Sequence, residues 1–309
     1  MTEKTMTDLE TAPRRNGRVT DAVTVGTHIA DGMTVAIGGF INSGHPMSLV
    51  RQLILDGRRG LRVVGAASAG LEIDLLIAAG CVDTVVTPYV GAEGLTGIGA
   101  AFRKSVQDGT VRVFELDEAH FYAGLRASAQ RLPFNPWRAG VGTSYPVINP
   151  ALKEFRDPIN GELLLAIPAI EIDVCLLHAS ISDEYGNVQH NGTRYGDIAM
   201  YAASEKTFVS VERVVSPEEI RANPLATSIP GATGIVRTPF GAHPYSADGH
   251  YAPDVTHIQQ YIAAATTWLK HDDRTDVDRY IDDHILSVPT HAEYLARIGT
   301  ERLLSLNEY

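Results

Sequence analysis

The stretch TVAIGGFINSGHPMSLVRQLIL, residues 34–55, decides the fold class. Its first part, Thr34–Gly39, is a short apolar run after the turn signal Asp31-Gly32, and it predicts a buried strand. Its second part, Pro46–Leu55, has the apolar spacing of a helix, with a proline at the first turn. The stretch therefore predicts a strand, a glycine-containing loop and a helix, in that order.

The same unit recurs along the first half of the chain. The further strand and helix pairs that the pattern predicts are Leu61–Ala66 with Ala69–Ala79, Asp83–Val90 with Ile98–Val106, and Val111–Leu116 with Glu118–Gln130. Strands that alternate with helices indicate right-handed crossovers between parallel strands. The expected fold class is therefore α/β: a Rossmann-like, open and mostly parallel sheet with helices on both faces.

The spacing of apolar residues changes after the proline- and glycine-rich stretch Leu132–Pro150. The elements predicted beyond it are central strands over Leu163–Pro168 and Asp173–Ile181, similar strands over Thr207–Val211 and Gly234–Arg237, an amphipathic helix over Val255–Trp268, and peripheral helices over 272–283 and 290–306. Residues 1–18 are polar without an apolar period, which indicates a flexible N-terminal arm. Residues 19–309 are expected to form a single domain with peripheral C-terminal helices.

Composition excludes several classes of function. The formal net charge of −11 argues against a surface that follows the phosphates of a nucleic acid. Because the sequence has neither an apolar run of about 18 residues nor a signal-peptide centre, we expect a cytoplasmic protein without a membrane partner. No metal-ligand spacing such as HExxH or CxxC occurs, so no metal is expected. Cys81 and Cys175 lie among apolar neighbours and are expected to be buried, reduced thiols.

Three carboxylates are candidates for chemistry. In open α/β sheets, ligands bind at the carboxyl ends of the strands. Glu93 follows a predicted strand and lies among four glycines, which allow close approach to a ligand. Glu115 ends the next predicted strand, and Glu118 opens the helix after it. Each has a plainer alternative: a solvated loop acid for Glu93, and a helix cap for Glu118.

The loop that follows Gly38-Gly39 is a candidate ligand loop. Small residues before a helix allow backbone amides to approach an anionic group, although a tight turn would use the same residues. The dinucleotide fingerprint GxGxxG is absent from it. His178 and His243 could act as bases, but a hydrogen-bonded structural role is more frequent for such histidines.

These motifs together resemble the alpha subunit of class I coenzyme A transferases, nearest to the glutaconate CoA-transferase type. The segments that carry the resemblance are DGMTVAIGGF with SGHP, YVGAEG through FRKSVQDGTVRVFEL, RLPFNPWRAGVGTS, and the pair DVCLLHASISDEYGNVQ and PFGAHP. The resemblance covers about residues 23–267, and the four segments occur in the family order.

The resemblance implies a homologous beta subunit, an α2β2 assembly, and acyl-CoA and a carboxylic acid as substrates. Coenzyme A is then a moiety of the substrate, and no permanently bound cofactor is expected. The nucleophilic glutamate of such enzymes lies on the beta subunit, so this chain would supply substrate-binding residues. The residues that would bind substrate are Gly38, Gly39, Phe40, Asn42, Ser68, Gly70 and Glu93, with the Gly38–Asn42 loop as the donor of amide hydrogen bonds.

A second branch of the same superfamily opens a ring of a cyclic β-keto acyl-CoA by hydrolysis, in aromatic, steroid or terpenoid catabolism. That branch uses an acid of an E-x-D-E segment, and this chain has Glu115-Leu116-Asp117-Glu118 at the matching place. In this alternative, Glu118 or Glu115 is the catalytic base. A non-catalytic module that binds a sugar phosphate is a third alternative, which rests on analogy of fold. The sequence does not identify the acyl group.

Overall fold

Two sheets organise the protein, and the computed structural model describes residues 15–307. The strands of this range are β1 (Val19–Thr20), β2 (Thr34–Ile37), β3 (Leu61–Val64), β4 (Val82–Val86), β5 (Arg112–Val113), β6 (Phe134–Trp137), β7 (Lys153–Arg156), β8 (Leu163–Pro168), β9 (Ile172–Asp183), β10 (Asn187–Gln189), β11 (Ser204–Val215), β12 (Thr227–Pro230) and β13 (Gly234–Arg237). The large sheet has the strand order β1-β13-β11-β9-β2-β3-β4-β5, and all these neighbours pair in parallel. β10 and β12 extend it by antiparallel pairing.

Helices cover both faces of the large sheet. Within the same range they are α1 (Ala22–Gly26), α2 (Met47–Leu55), α3 (Leu71–Ala78), α4 (Ala100–Gln107), α5 (Glu118–Ala129), α6 (Tyr145–Ile148), α7 (Asp197–Ala203), α8 (Pro217–Ala222), α9 (Val255–His271), α10 (Thr275–Ile281), α11 (His291–Ile298) and α12 (Thr300–Ser305), with a 3₁₀ turn at Pro224–Ala226 and a π-helical turn at Asp282–Leu286. The predicted fold class is confirmed. Val35 and Ile37 face one apolar cluster and Ala36 faces the other, as the period of two in a strand requires.

One predicted strand lies in the wrong sheet. Leu163–Pro168, expected as a central strand, forms β8 in a separate antiparallel sheet with the order β6-β8-β7. Its apolar residues Leu165 and Ile167 are fully buried, and they pack in the same cluster as Phe121 of α5. An apolar run predicts burial, and burial under a helix satisfies it as well as a central position does.

The predicted N-terminal arm, residues 1–18, falls mostly outside the described residues. Of its last residues, Arg18 donates its backbone N–H to the carbonyl of Glu184 at 2.7 Å and a guanidinium N–H to that of Gly231 at 2.7 Å. β1 follows directly and pairs with β13 at the edge of the sheet. Across residues 15–307, no helix combines the length and the apolar character that crossing a lipid bilayer requires.

The strand order reverses between β2 and β9. The chain builds outward from β2 through β3, β4 and β5 on one side, whereas β9, β11 and β13 continue on the other side. Crossover connections therefore leave in opposite directions at this point, and a crevice opens beyond the carboxyl ends of β2 and β9. The Gly38-Gly39 loop begins there.

Candidate active site

The Gly38–Asn42 loop lies at the switch point of the sheet. The N–H of Gly38 donates to the carbonyl of Leu176 in β9 at 2.9 Å, which ties the start of the loop to the neighbouring strand. A Cβ at Gly38 would collide with the side chains of Leu177 and Asp197. Gly39 has a φ of +96°, and a Cβ there would lie 2.7 Å from the ring of His45. The glycine pair is therefore required by close packing and by backbone conformation.

Three loops that the sequence singled out meet in direct contacts. The hydroxyl of Ser68, after β3, donates to the Glu93 carboxylate at 2.5 Å. The side-chain amide of Asn42, after β2, donates to the Glu93 carbonyl at 3.1 Å. The N–H of Ile41 donates to the Ser68 carbonyl at 3.1 Å. The ends of three adjacent strands thus form one hydrogen-bonded surface, and Glu93 is exposed on it but fixed.

Most amides of the Gly38–Asn42 loop already have acceptors. The N–H of Gly39 donates to Asp197 at 3.0 Å, and that of Phe40 donates to the Ser43 carbonyl at 2.9 Å. Within residues 15–307, only Asn42 among the five loop residues has an N–H without an acceptor. Its side-chain Oδ1 is buried and also lacks a partner in that range. The general prediction of a donor loop therefore narrows to one residue.

The acids at the start of α5 form an exposed edge. Glu115 lies beyond the end of β5, and Glu118 is the first residue of α5. Asp117, not Glu118, caps this helix, since its carboxylate accepts the N–H of His120 at 2.8 Å. The carboxylates of Glu115 and Glu118 are exposed, and neither makes an ion pair or hydrogen bond to the part of the chain that the structure describes.

Aromatic side chains stand between this acidic edge and the loops. Phe40 stacks on Tyr195 with ring centroids 4.4 Å apart. Burial, followed by the charges of Glu118 and Asp197, raises the pKa of Tyr122. Tyr122 is therefore near both acids, and it links Glu118 to Asp197, which contacts Gly39. No direct contact joins Glu115 or Glu118 to the three loops among the described residues.

His178 and His243 do not face the crevice. His178 is 2% exposed, and its two ring nitrogens lie 2.9 Å from the Ser210 hydroxyl and 3.1 Å from the Glu212 carboxylate. Desolvation alone would raise the pKa of Glu212, but His178 and the Phe240 amide outweigh it and lower this pKa. His243 is fully buried in another network, against α9 and α11. The structural role is the one that the geometry shows for both.

Two buried histidine–carboxylate pairs behind the loop were missed in the sequence. Nδ1 of His45 lies 3.3 Å from Oε2 of Glu72, and both side chains are 0% exposed. Nε2 of His190 lies 3.3 Å from Oδ2 of Asp197. In each pair the contact is an ion pair without hydrogen-bond alignment. Glu72 had a visible signal, because a charged residue within the apolar run LEIDLLIA is rarely buried without a partner.

The remaining candidates behave as packing groups. Gly70 packs between Tyr245 and the Gly91 carbonyl, and its N–H donates to Glu72 at 2.8 Å. Cys81 and Cys175 are free, buried thiols, as predicted, and burial raises the pKa of Cys81 to about 11. Residues 15–307 contain no group of three or more histidine, cysteine or acidic side chains placed to hold a metal ion.

Cavities that the site loops line are small. One of about 20 Å³ lies beside Ser43 and Gly44, and another of about 20 Å³ lies beside Gly70 and Gly91. Larger cavities of about 570 and 590 Å³ lie elsewhere, near Glu171 and near β6. The larger cavities have no site residue in their walls, so volume alone does not indicate the site. The loops present an open surface in this chain.

Comparison with known proteins places this surface in context. The family model described as coenzyme A transferase matches residues 19–234. The crystal structure of glutaconate coenzyme A-transferase from Acidaminococcus fermentans superposes with a TM-score of 0.86 and 26% identity, over 94% of this chain and 95% of that chain. One of the two kinds of chain in the glutaconate CoA-transferase of that organism is 27% identical over 300 residues, which are 91% of this chain and 92% of the relative.

Two further relatives differ from it. The cholesterol ring-cleaving hydrolase IpdA subunit of Rhodococcus jostii is 34% identical over 265 residues, 82% of this chain and 88% of the relative. An uncharacterized protein of Archaeoglobus fulgidus is 33% identical over 283 residues, 91% of this chain. The chain spans only 62% of the length of that archaeal relative.

Proposed function

The chain belongs to the coenzyme A transferase family, and on this premise we propose that it is the alpha subunit of an acyl-CoA:carboxylate CoA-transferase. Acyl-CoA and a carboxylic acid are its proposed substrates, with coenzyme A as a substrate moiety. A homologous beta subunit is the proposed partner, in an α2β2 assembly. Relatives that act on glutaconate and on 3-oxoadipate are each named as one subunit of a CoA-transferase, which supports a heteromeric enzyme.

The proposed reaction proceeds through covalent intermediates on a glutamate of the beta subunit. Its carboxylate attacks the thioester carbonyl, the C–S bond breaks, and an acyl-glutamyl anhydride and CoA thiolate form. The thiolate then attacks the glutamyl carbonyl, which releases the first carboxylic acid and leaves a glutamyl-CoA thioester. The same steps in reverse transfer CoA to the second acid. Because the anhydride hydrolyses readily, the site must exclude water.

The loops of this chain have the chemistry to support these steps. Negative charge develops on the thioester oxygen, and a fixed N–H donor stabilises it. Asn42 has a free N–H and a free side-chain oxygen within the described range. Its side-chain nitrogen and the Ser68 hydroxyl hold Glu93 beside it. The single observation that carries the proposal is this hydrogen-bonded junction of three strand ends at the switch point of the sheet.

Trapping of the intermediate tests the proposal. The chain is co-purified with its beta subunit, incubated with acyl-CoA, and treated with borohydride or hydroxylamine, and both subunits are analysed by mass spectrometry. We expect one modified glutamate on the beta subunit and none on this chain. CoA transfer that requires an acceptor acid, with this chain inactive alone, is the accompanying result. Turnover without any modified glutamate in either subunit contradicts transfer.

Ring-opening hydrolysis is a second candidate function because of the acidic edge. Glu115 and Glu118 are exposed without partners in the described chain, as a base for water requires. The 34% identity to a ring-cleaving hydrolase subunit favours the same candidate. Heavy-oxygen label from water in a product formed without acceptor acid would establish it. In that case Glu118→Gln abolishes turnover, whereas Asp117→Asn, which changes only the helix cap, retains it.

A further inference from the structure

We propose that His45 with Glu72 and His190 with Asp197 are positioning residues, which hold the Gly38–Ser43 loop from both sides during acyl-CoA chemistry. The inference rests on the proposed function, because turnover of acyl-CoA is one of its readouts. Neither pair reaches the exposed surface of the three loops. Each pair instead contacts a backbone group of the loop.

The first pair holds a carbonyl of the loop. Nε2 of His45 donates to the carbonyl of Ile41 at 3.1 Å, while Nδ1 faces Glu72. Since a carbonyl only accepts, the neutral imidazole would turn a bare nitrogen towards a carboxylate, and the contact is attractive only with a proton between them. Ile41 has a φ of +55°, which is unfavourable for a β-branched residue. Such a conformation persists only when its surroundings hold it.

Glu72 connects this loop to the next one. Its Oε1 accepts the N–H of Gly70 at 2.8 Å, and its Oε2 faces His45. The Ile41 N–H donates to Ser68, two residues before Gly70. The Ile41 peptide groups are therefore fixed on both sides by the loop after β3 and by the first turn of α3. A shift of either loop would break at least one of these contacts.

The second pair holds an amide of the loop from the other half of the sheet. Oδ1 of Asp197, the first residue of α7, accepts the Gly39 N–H at 3.0 Å. Oδ2 faces His190, whose Nδ1 lies 2.7 Å from the Ser228 hydroxyl in β12. Asp197 is 3% exposed. Gly39 is thus fastened to α7 and β12.

Stability alone does not explain this arrangement. Apolar residues of similar volume usually stabilise a core at least as well as a buried ion pair does. Both pairs, however, contact backbone groups of the same short loop, at Gly39 and Ile41. Asn42, with its free N–H, follows directly. Positioning of a donor to within a few tenths of an ångström is the role that requires such contacts.

Substitution of Asp197 in the complex with the beta subunit tests the inference. For Asp197→Ala we expect kcat to fall about 100-fold, with little change of KM for acyl-CoA, because the binding surface remains while the donor is displaced. Asp197→Asn should recover much of this loss, since its amide oxygen still accepts the Gly39 N–H. His45→Ala should lower kcat similarly through Ile41.

Asp254→Asn is the matched control, because it breaks another buried pair, with His243 and Arg302, away from the loop. It should lower the melting temperature without lowering kcat. Hydrogen exchange gives a readout independent of turnover: the amides of Gly39 and Ile41 should exchange faster in Asp197→Ala and unchanged in Asp254→Asn. Equal loss of kcat in both variants, or unchanged exchange in Asp197→Ala, overturns the inference. A wild-type complex that does not turn over acyl-CoA overturns the proposed function, and the exchange rates still decide the inference.

Discussion

At the scale of single residues, the site fixes exposed groups through short side chains. Glu93 is exposed, yet the Ser68 hydroxyl holds its carboxylate and Asn42 holds its carbonyl. A long acid in a glycine-rich loop would otherwise sample many rotamers, and ordering them on binding would weaken affinity. Ser68 therefore contributes to function by restricting Glu93 before the substrate arrives.

A double-mutant cycle tests this coupling. We expect Ser68→Ala to lower kcat/KM for acyl-CoA several-fold and Glu93→Gln to lower it about tenfold, since a charged hydrogen bond of about 1.5–3 kcal/mol is lost. The double variant should be no worse than Glu93→Gln alone, because the two side chains act through one contact. Steady-state kinetics of the complex with the beta subunit measure all three. Strict additivity of the two losses would show that Ser68 and Glu93 act separately.

Gly38 permits a second prediction at this scale. A methyl group there would collide with Asp197 and Leu177, so Gly38→Ala should lower the free energy of unfolding by about 1–3 kcal/mol and abolish most turnover. Gly97 lies in the same region with open space around its Cβ position and without a positive φ. Gly97→Ala should therefore be close to neutral in both measurements. Chemical denaturation and turnover compare the pair, and equal effects would contradict the packing argument.

At the scale of secondary-structure elements, one helix is capped by another. α4 begins after Gly99, which has no side chain to cap it. Asp74 in α3 supplies the cap, since its carboxylate accepts the N–H groups of Phe102 at 2.7 Å and Ala101 at 3.3 Å. Tyr261 of α9 donates its hydroxyl to the same carboxylate at 2.8 Å. Desolvation raises the pKa of Asp74, and these donors oppose it. Three helices thus meet on one buried acid.

Removal of this acid should be costly. Asp74→Ala leaves two amides and a buried hydroxyl without an acceptor, and we expect the free energy of unfolding to fall by about 3 kcal/mol. Asp21 is the control, because it caps α1 in the ordinary local way, at an exposed position. Asp21→Ala should lower stability clearly less than Asp74→Ala. Urea denaturation of both variants measures the difference, and equal losses would contradict the role of Asp74 as a junction.

The elements also show what the sequence can predict. Alternating apolar runs predicted the strand–helix units up to α5, because local periodicity decides them. The same signal could not separate β8 from a central strand, since both are buried runs of similar length. At the site, Ser68, Glu93 and the Gly38–Asn42 loop were found because they end predicted strands. Asp197 and His190 were not, because their partners are 158 and 38 residues away in the chain.

At the scale of the whole molecule, the C-terminal helices are joined to the sheet domain by a buried polar network. The fully buried Arg51 of α2 lies 3.6 Å from the centre of the Tyr294 ring, and it donates to the His243 carbonyl at 3.1 Å. Asp254 pairs with His243 and with Arg302 of α12. Such a network is stable only while its protonation state is maintained.

His291 makes that stability depend on pH. Its Nε2 donates to the Pro239 carbonyl at 2.7 Å, and Arg51 donates to its Nδ1 at 3.3 Å, so the ring must be neutral. Burial, followed by the charge of Arg51, lowers its pKa to about 4, and burial lowers that of His257 to about 3. Both groups therefore bind protons more readily in the unfolded chain, where the pKa is near 6.5. Their contribution to stability is complete above that value and is lost as the pH falls from 6.5 towards 4.

His291→Gln isolates this effect. Glutamine can donate to Pro239 and accept from Arg51, but it does not titrate, so stability at pH 7.5 should change little. Below pH 6, each histidine costs the folded state about 1.4 kcal/mol per pH unit, and the variant should lose stability less steeply than the wild type by about that amount. Denaturation midpoints between pH 7.5 and 4.5 measure the two slopes. Parallel curves would show that His291 already carries its proton in the folded protein, and that the contact with Arg51 does not exclude it.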